Sequence, residues 1–178
     1  MAGTLSPAVT VRKAEVIDAG PASAMGRVVF SATFGHSVTP EQLATFLDQA
    51  YTPESFAKEI RDQSRLMLVA EVAGTMAGFI TLARETDEPC VSEYENRVEL
   101  GRLYVGLDNQ GQGVGKVLSN EIEEVARREG YRYMWLGVWE ENYKAQAVYK
   151  KLGYKRVGEH VFDVGGDLQT DHIMIKEL

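Results

Sequence analysis

The sequence predicts a mixed α/β domain built around one core. Strand-like apolar runs alternate with helical periodicities along the chain. Short glycine turns join several of the runs as hairpins, and one amphipathic helix lies between two apolar runs, where it must cross over the sheet. With 178 residues, 44% of them hydrophobic and 25% charged, the chain has the size and composition of a single globular domain.

Residues 9–17 alternate loosely and predict a first strand. Residues 21–33 predict a helix with Pro21 near its start. Thr39-Pro40-Glu41-Gln42 has the form of an N-cap, a proline at the first helical position and acidic support, so a second helix runs to about Ala50. Thr52-Pro53-Glu54-Ser55 repeats the signal, and that helix ends near Gln63. Residues 66–72 predict a buried strand; after the turn Ala73-Gly74-Thr75, residues 76–83 pair back on it. Residues 84–95 are polar and acidic and predict a surface loop, and residues 97–105 a further strand. The helix that follows residue 113 carries Val114, Val117, Leu118, Ile122 and Val125 on one face and stops at Gly130. Residues 131–138 form another strand, and a helix from Asn142 reaches Leu152 with Gly153 as its C′ residue. Residues 155–164 and 170–177 are two last strands joined by Gly165-Gly166-Asp167.

Composition narrows the function classes. No segment is apolar enough to span a bilayer, which argues against a membrane role. The lone Cys90 excludes an intramolecular disulfide and fits a reducing, cytoplasmic location. His36, His160 and His172 lie far apart, and no Cys/His spacing suggests zinc or another metal. A net charge of −7 without a basic stripe argues against nucleic acid as a partner. It suits a cationic small substrate, though it is equally ordinary for an acidic globular protein.

Chemistry concentrates at residues 110–115, Gln110-Gly111-Gln112-Gly113-Val114-Gly115. Glycines here place bare amides at a helix N-terminus, where unpartnered N–H groups and the helix dipole attract phosphate. The Walker pattern is excluded because Gly115-Lys116 is followed by Val117 rather than Ser or Thr. The dinucleotide pattern is excluded by the glycine spacing and by the loop's position after the hairpin. An amide nest suited to a diphosphate remains. Downstream, Asn142, Ala145 and Tyr149 fall at i, i+3 and i+7 on one helical face, followed by Gly153-Tyr154.

On these residues the chain resembles the GNAT superfamily of acetyl-CoA-dependent N-acetyltransferases. Gln110-x-x-Gly113-x-Gly115 is similar to that family's pyrophosphate loop, and Asn142 through Tyr154 to its second signature. The resemblance implies one N-acetyltransferase domain over residues 1–178, with an acceptor-side half at about 1–95 and an acetyl-CoA-binding core at about 97–155. It further implies a central, largely antiparallel sheet of about seven strands, flanked by helices and splayed at the cofactor slot. The backbone of Leu103, Tyr104 and Val105 would pair with the pantetheine arm, and the amide of Leu103 or Tyr104 would polarise the thioester carbonyl. The amides of Gly111, Gln112, Gly113, Val114, Gly115 and Lys116 would hold the pyrophosphate after Gln110, and Asn142 the pantetheine region. Lys116 and Lys151 either assist near the phosphates or are solvated helix charges.

Tyr149 stands where the family often has its general acid. A thiol of pKa ~8.5 and a tyrosine of ~10 make that donation modest but useful in a dry site. Glu99, four residues before Leu103, is the candidate base for an amine of pKa ~10.4. Otherwise it is an exposed strand residue or an ion-pair partner of Arg97 or Arg102. Ala32-Thr33-Phe34-Gly35 and Tyr51-Thr52-Pro53-Glu54 loosely resemble the bacterial polyamine acetyltransferase branch, so Phe34 and Tyr51 contact the acceptor or are core aromatics. The expected reaction is direct transfer to a primary amine in a ternary complex, without a metal and without Cys90 as nucleophile. The acceptor is a polyamine or other small amine, or else a protein N-terminus or lysine; a non-catalytic acyl-CoA sensor is the different-class alternative. The resemblance also implies a homodimer as one assembly.

Overall fold

The computed structural model describes residues 8–178. The first strand, β1 (Val9–Lys13), stops short of the expected 9–17. The reason is local: Glu15 and Asp18 close a capping box around a 3-10 turn at Val16–Asp18. Arg12 then donates to both Asp18 carboxylate oxygens at 2.8 and 2.9 Å, which fixes the reversal. Helix α1 (Ala19–Phe34) begins two residues ahead of Pro21, whose missing N–H costs nothing in a first turn. Helices α2 (Pro40–Ala50) and α3 (Pro53–Arg61) start at the expected caps, Thr39 and Thr52, each accepting from the backbone amide three residues on.

Strands β2 (Arg65–Val72) and β3 (Thr75–Ala83) form the expected hairpin. Its turn residues Ala73 and Gly74 both have positive φ, 51° and 75°, a geometry that matches the strand twist. Next come β4 (Arg97–Val105), α4 (Val114–Arg128), β5 (Tyr133–Trp139) and α5 (Tyr143–Lys151). The last hairpin joins β6 (Lys155–Val164) to β7 (Asp167–Glu177). Its turn is Gly165-Gly166 alone, so β7 begins at Asp167 rather than at residue 170.

The strands make one seven-stranded sheet in the order β1-β2-β3-β4-β5-β7-β6. Every neighbouring pair is antiparallel except β4 and β5, which the α4 crossover connects in parallel. Helix α4 covers one face, where Leu118 and Ile122 pack on Met134, Leu136 and Met174. Its buried row is Val114, Leu118, Ile122 and Ala126, while the expected Val117 and Val125 are only partly buried. Steps of four keep one row against the sheet, and each fully buried aliphatic chain contributes about 1.5–3 kcal/mol. On the other face α1, α2 and α3 bury Phe30, Leu47 and Phe56 against Val69 and Phe79. The segment expected as a polar surface loop at 84–95 holds a 3-10 turn, Pro89–Val91. Its Val91 is fully buried against Trp135, Ile173 and Ile175, an anchor that the surrounding polar residues conceal.

Candidate active site

The β4–β5 ladder runs only through Arg97↔Tyr133, Val98↔Met134 and Glu99↔Trp135. Beyond it β4 continues to Val105 against β3, and β5 to Trp139 against β7, so the two strands part. A bulge helps turn β4 away: the β3–β4 register shifts between Thr81 and Leu82, which leaves Gly101 as the extra residue. Gly101 sits tightly over Thr81, where a Cβ would come within 2.9 Å of the hydroxyl oxygen. From Gly101 to Val105 the edge of β4 toward β5 therefore has no strand partner. A cavity of about 840 Å³ fills the parting. Gln110 and the glycine loop line one end, Leu103–Val105, Asn142 and Tyr149 the middle, and Phe34, Tyr51 and Trp139 the other end.

The loop end is built to take an anion. Gly113, at φ 85°, is the N-cap of α4, and Gly111 also has positive φ at 75°. The first bond of the helix runs from the Val117 amide to the Gly113 carbonyl, so the amides of Val114, Gly115 and Lys116 precede it. No acidic residue stands in the first turn to compete for them. A Cβ at Gly111 or Gly113 would meet no atom within 4 Å, so the loop backbone is open to a ligand. Gln110 and Gln112 brace it, donating to the carbonyls of Val105 at 3.3 Å and Asp108 at 2.7 Å. Lys116, Lys144 and Lys151 line the same cavity and add positive charge. This donor set fits the pyrophosphate of a CoA thioester. Asn142 lines the cavity too, while its side chain already accepts from the Ala145 amide at 3.1 Å as the N-cap of α5.

Tyr149 lines the middle of the cavity and packs edge-on against Tyr154, with centroids 5.6 Å apart. Burial pushes its pKa up to about 12. Tyr104 donates to or accepts from Tyr51 across 2.6 Å, their rings stacked, and burial raises the pKa of both. Tyr51 and Phe34 thus combine two roles: each packs in the aromatic cluster of the helical layer, and each lines the cavity. Arg102 lies over the Phe56 ring at 4.9 Å and pairs with Glu59 at 2.9 Å.

Glu99 does not line this cavity. It lines a smaller one of about 290 Å³ with Thr86, Asp87, Glu88, His160 and Asp171. The ion pairs anticipated for it go elsewhere: Arg97 pairs with Asp87 at 2.9 Å and Arg102 with Glu59. Burial raises the Glu99 pKa, opposed by the charges of Arg65 and Arg102. Glu99 and Tyr149 therefore face different cavities, and Asp171 and Gly137 are the residues common to both. Sequence reasoning passed over Asp171, although a signal was present. Asp171 falls in phase with Ile173 and Ile175, a carboxylate at a strand position whose register is buried. Cys90 lines neither cavity; its thiol lies against β6 beside the Glu159 carbonyl at 3.6 Å. Among the described residues no three His, Cys, Asp or Glu side chains converge as a metal site.

A sheet parted between two parallel strands, with an amide cradle at one end and a buried phenol beside the gap, is the arrangement that the resemblance to acetyl-CoA-dependent N-acetyltransferases leads one to expect. The chain belongs to the acetyltransferase (GNAT) family, whose model matches residues 33–154. It is similar to an uncharacterized N-acetyltransferase of Lactobacillus delbrueckii subsp. lactis, 35% identical over 87% of this chain and 89% of that one. It is also similar to an uncharacterized N-acetyltransferase of Mycobacterium tuberculosis, 30% identical over 90% and 98% of the two chains. Among solved structures, the PaiA N-acetyltransferase from Thermoplasma acidophilum, in complex with coenzyme A, superposes with a TM-score of 0.78. That likeness holds at 25% identity over 96% of this chain and 99% of the other.

Proposed function

We propose that this N-acetyltransferase acts on a small cationic primary amine, by direct attack within a ternary complex. The observation that carries the reading is the shared cavity: the unpaired β4 edge, the glycine cradle and Tyr149 open onto one space. Acetyl-CoA, when bound, supplies the acetyl group as an activated thioester. The residues of this chain supply the rest. The backbone amide of Leu103, which by strand alternation faces the unpaired edge while those of Tyr104 and Gly106 face β3, stabilises the oxyanion that forms at the carbonyl. The amides of Gly111 through Lys116 hold the pyrophosphate, with Gln110 as their brace and Asn142 beside the pantetheine. Tyr149 keeps a proton on its hydroxyl for the departing sulfur. Glu99 draws protons away from the amine through the smaller cavity.

The acceptor's charge is argued from its surroundings. Glu99 and Asp171 supply carboxylates on one side, and Phe34, Tyr51 and Trp139 supply aromatic faces on the other, a pairing that receives an alkylammonium chain. The net charge of −7 favours the same class. A polyamine such as spermidine is the first acceptor to try. The test is CoA release measured across a panel of polyamines, amino sugars, amino acids and short peptides. Turnover that is fastest on polyamines supports the reading. Preference for a peptide N-terminus or lysine would replace the acceptor, and tight acetyl-CoA binding with no turnover would leave a sensor.

A further inference from the structure

Asp171 sits where the two cavities meet. In the sheet it pairs with Trp139 of β5 and with His160 of β6. Its carboxylate lies over Gly137, where a Cβ would come 2.8 Å from Oδ2. Glycine at 137 is thus what admits the carboxylate to this position, on the open side of the parted strands. Oδ1 is buried and has no hydrogen-bond partner among the described residues. An unpartnered buried carboxylate oxygen is costly, and a fold that retains one beside a cavity leaves it for a donor that arrives with a ligand.

We infer that Asp171 is the group that meets the acceptor amine, binding its ammonium and taking its proton. The inference rests on the N-acetyltransferase reading above. The protons balance as follows. Asp171 accepts one N–H proton, which leaves the amine lone pair free. The N–C bond to the acetyl carbon forms and the C–S bond breaks, and the Tyr149 hydroxyl proton passes to sulfur. The second N–H proton of the new ammonium restores Tyr149. Asp171 returns its proton to solvent through the smaller cavity, so each turnover releases one proton.

The electrostatics suit this role. Burial lifts the Asp171 pKa to about 7, with the His160 charge pulling it back, so the carboxyl exchanges protons near neutral pH. The titratable and charged groups that share its cavities are Glu99 from β4, His160 from β6, and Asp87 and Glu88 from the segment before β4. Across the larger cavity they are Tyr51, Arg102, Tyr104, Lys116, Lys144, Tyr149 and Lys151. Glu88 is occupied by His160, whose Nδ1 lies 2.9 Å from it, which leaves Asp171 the free carboxylate at the junction.

The test compares Asp171→Asn and Glu99→Gln with the wild-type protein. Acetyl-CoA affinity of Asp171→Asn should match wild type, while kcat/KM for spermidine falls about 100-fold at pH 7.5. The wild-type rate should rise through a midpoint near pH 7; Asp171→Asn loses that rise, whereas Glu99→Gln lowers the rate but leaves the midpoint near 7. A second measurement needs no turnover. In the ligand-free wild-type protein, the Asp171 carboxyl carbon followed by NMR should titrate near 7 and shift when spermidine is added. Wild-type rates and pH profile in Asp171→Asn would overturn the inference and leave the acetyltransferase reading standing. So would an Asp171 carboxyl that titrates near 4 and ignores spermidine. Failure of the wild-type protein to acetylate any amine would overturn the reading and the inference together.

Discussion

At Tyr149 the burial that removes the hydroxyl from water also holds its proton, since a pKa of about 12 keeps the phenol neutral at any physiological pH. Tyr149→Phe preserves the ring packing on Tyr154 and deletes only that proton. Its kcat should drop about 100-fold with acetyl-CoA affinity unchanged, read by steady-state kinetics and calorimetry. Tyr51 and Tyr104 satisfy each other's hydroxyls inside the aromatic cluster. Tyr51→Phe strands the Tyr104 hydroxyl and should cost about 1–3 kcal/mol in denaturant unfolding; adding Tyr104→Phe should recover part of it. Asp171 carries a stability signature as well. Its folded pKa, about 7, lies above the usual 3.8, so the fold holds this proton more tightly than the unfolded chain does. The resulting contribution is complete below pH 4 and is lost as pH rises through 7. The stability of Asp171→Asn relative to wild type should therefore grow by about 2–3 kcal/mol between pH 5 and pH 8, measured by thermal or urea unfolding.

Helix α4 shows how an element serves both core and ligand. Its N-terminus presents the cradle, and its buried row holds the cradle against the sheet. Gly113→Val forces a β-branched residue to φ 85° and pushes a side chain into the open space over the loop. CoA binding should fall below detection in calorimetry, with the far-ultraviolet spectrum retained. Leu118→Ala, at a fully buried site, should cost about 2–5 kcal/mol in unfolding. Such elements were legible from sequence because their signals are local: Thr39 and Thr52 cap their helices through neighbours three residues away, and glycines mark the loop. Where distant residues decide, the sequence was mute. Val91 is buried by Trp135, Ile173 and Ile175, all far along the chain, so its segment read as a surface loop. The phase of Asp171 with Ile173 and Ile175 is a local signal of a buried register, but the space that Gly137 leaves for it lies on another strand and is not written locally.

The whole sheet is two blocks, β1 to β4 and β5 to β7, joined along their length only by the short β4–β5 ladder and crossed over by α4. The two hairpins and the one crossover were legible in the sequence, but the insertion of β7 between β5 and β6 was not, since it rests on pairing between strands far apart in the chain. The parting itself was expected from family resemblance rather than from any residue pattern, since it depends on the bulge at Gly101 and on where pairing ends. Each block has its own hydrogen-bonded interior, but the facing edges of β4 and β5 beyond Glu99 and Trp135 have only solvent or ligand to bond. A ligand lying between them completes the ladder that the chain leaves unfinished, as a guest strand would. The protein without ligand should consequently exchange deuterium readily at those facing edges, and acetyl-CoA should slow that exchange at Leu103 and Val105 while leaving the β2–β3 amides as they were.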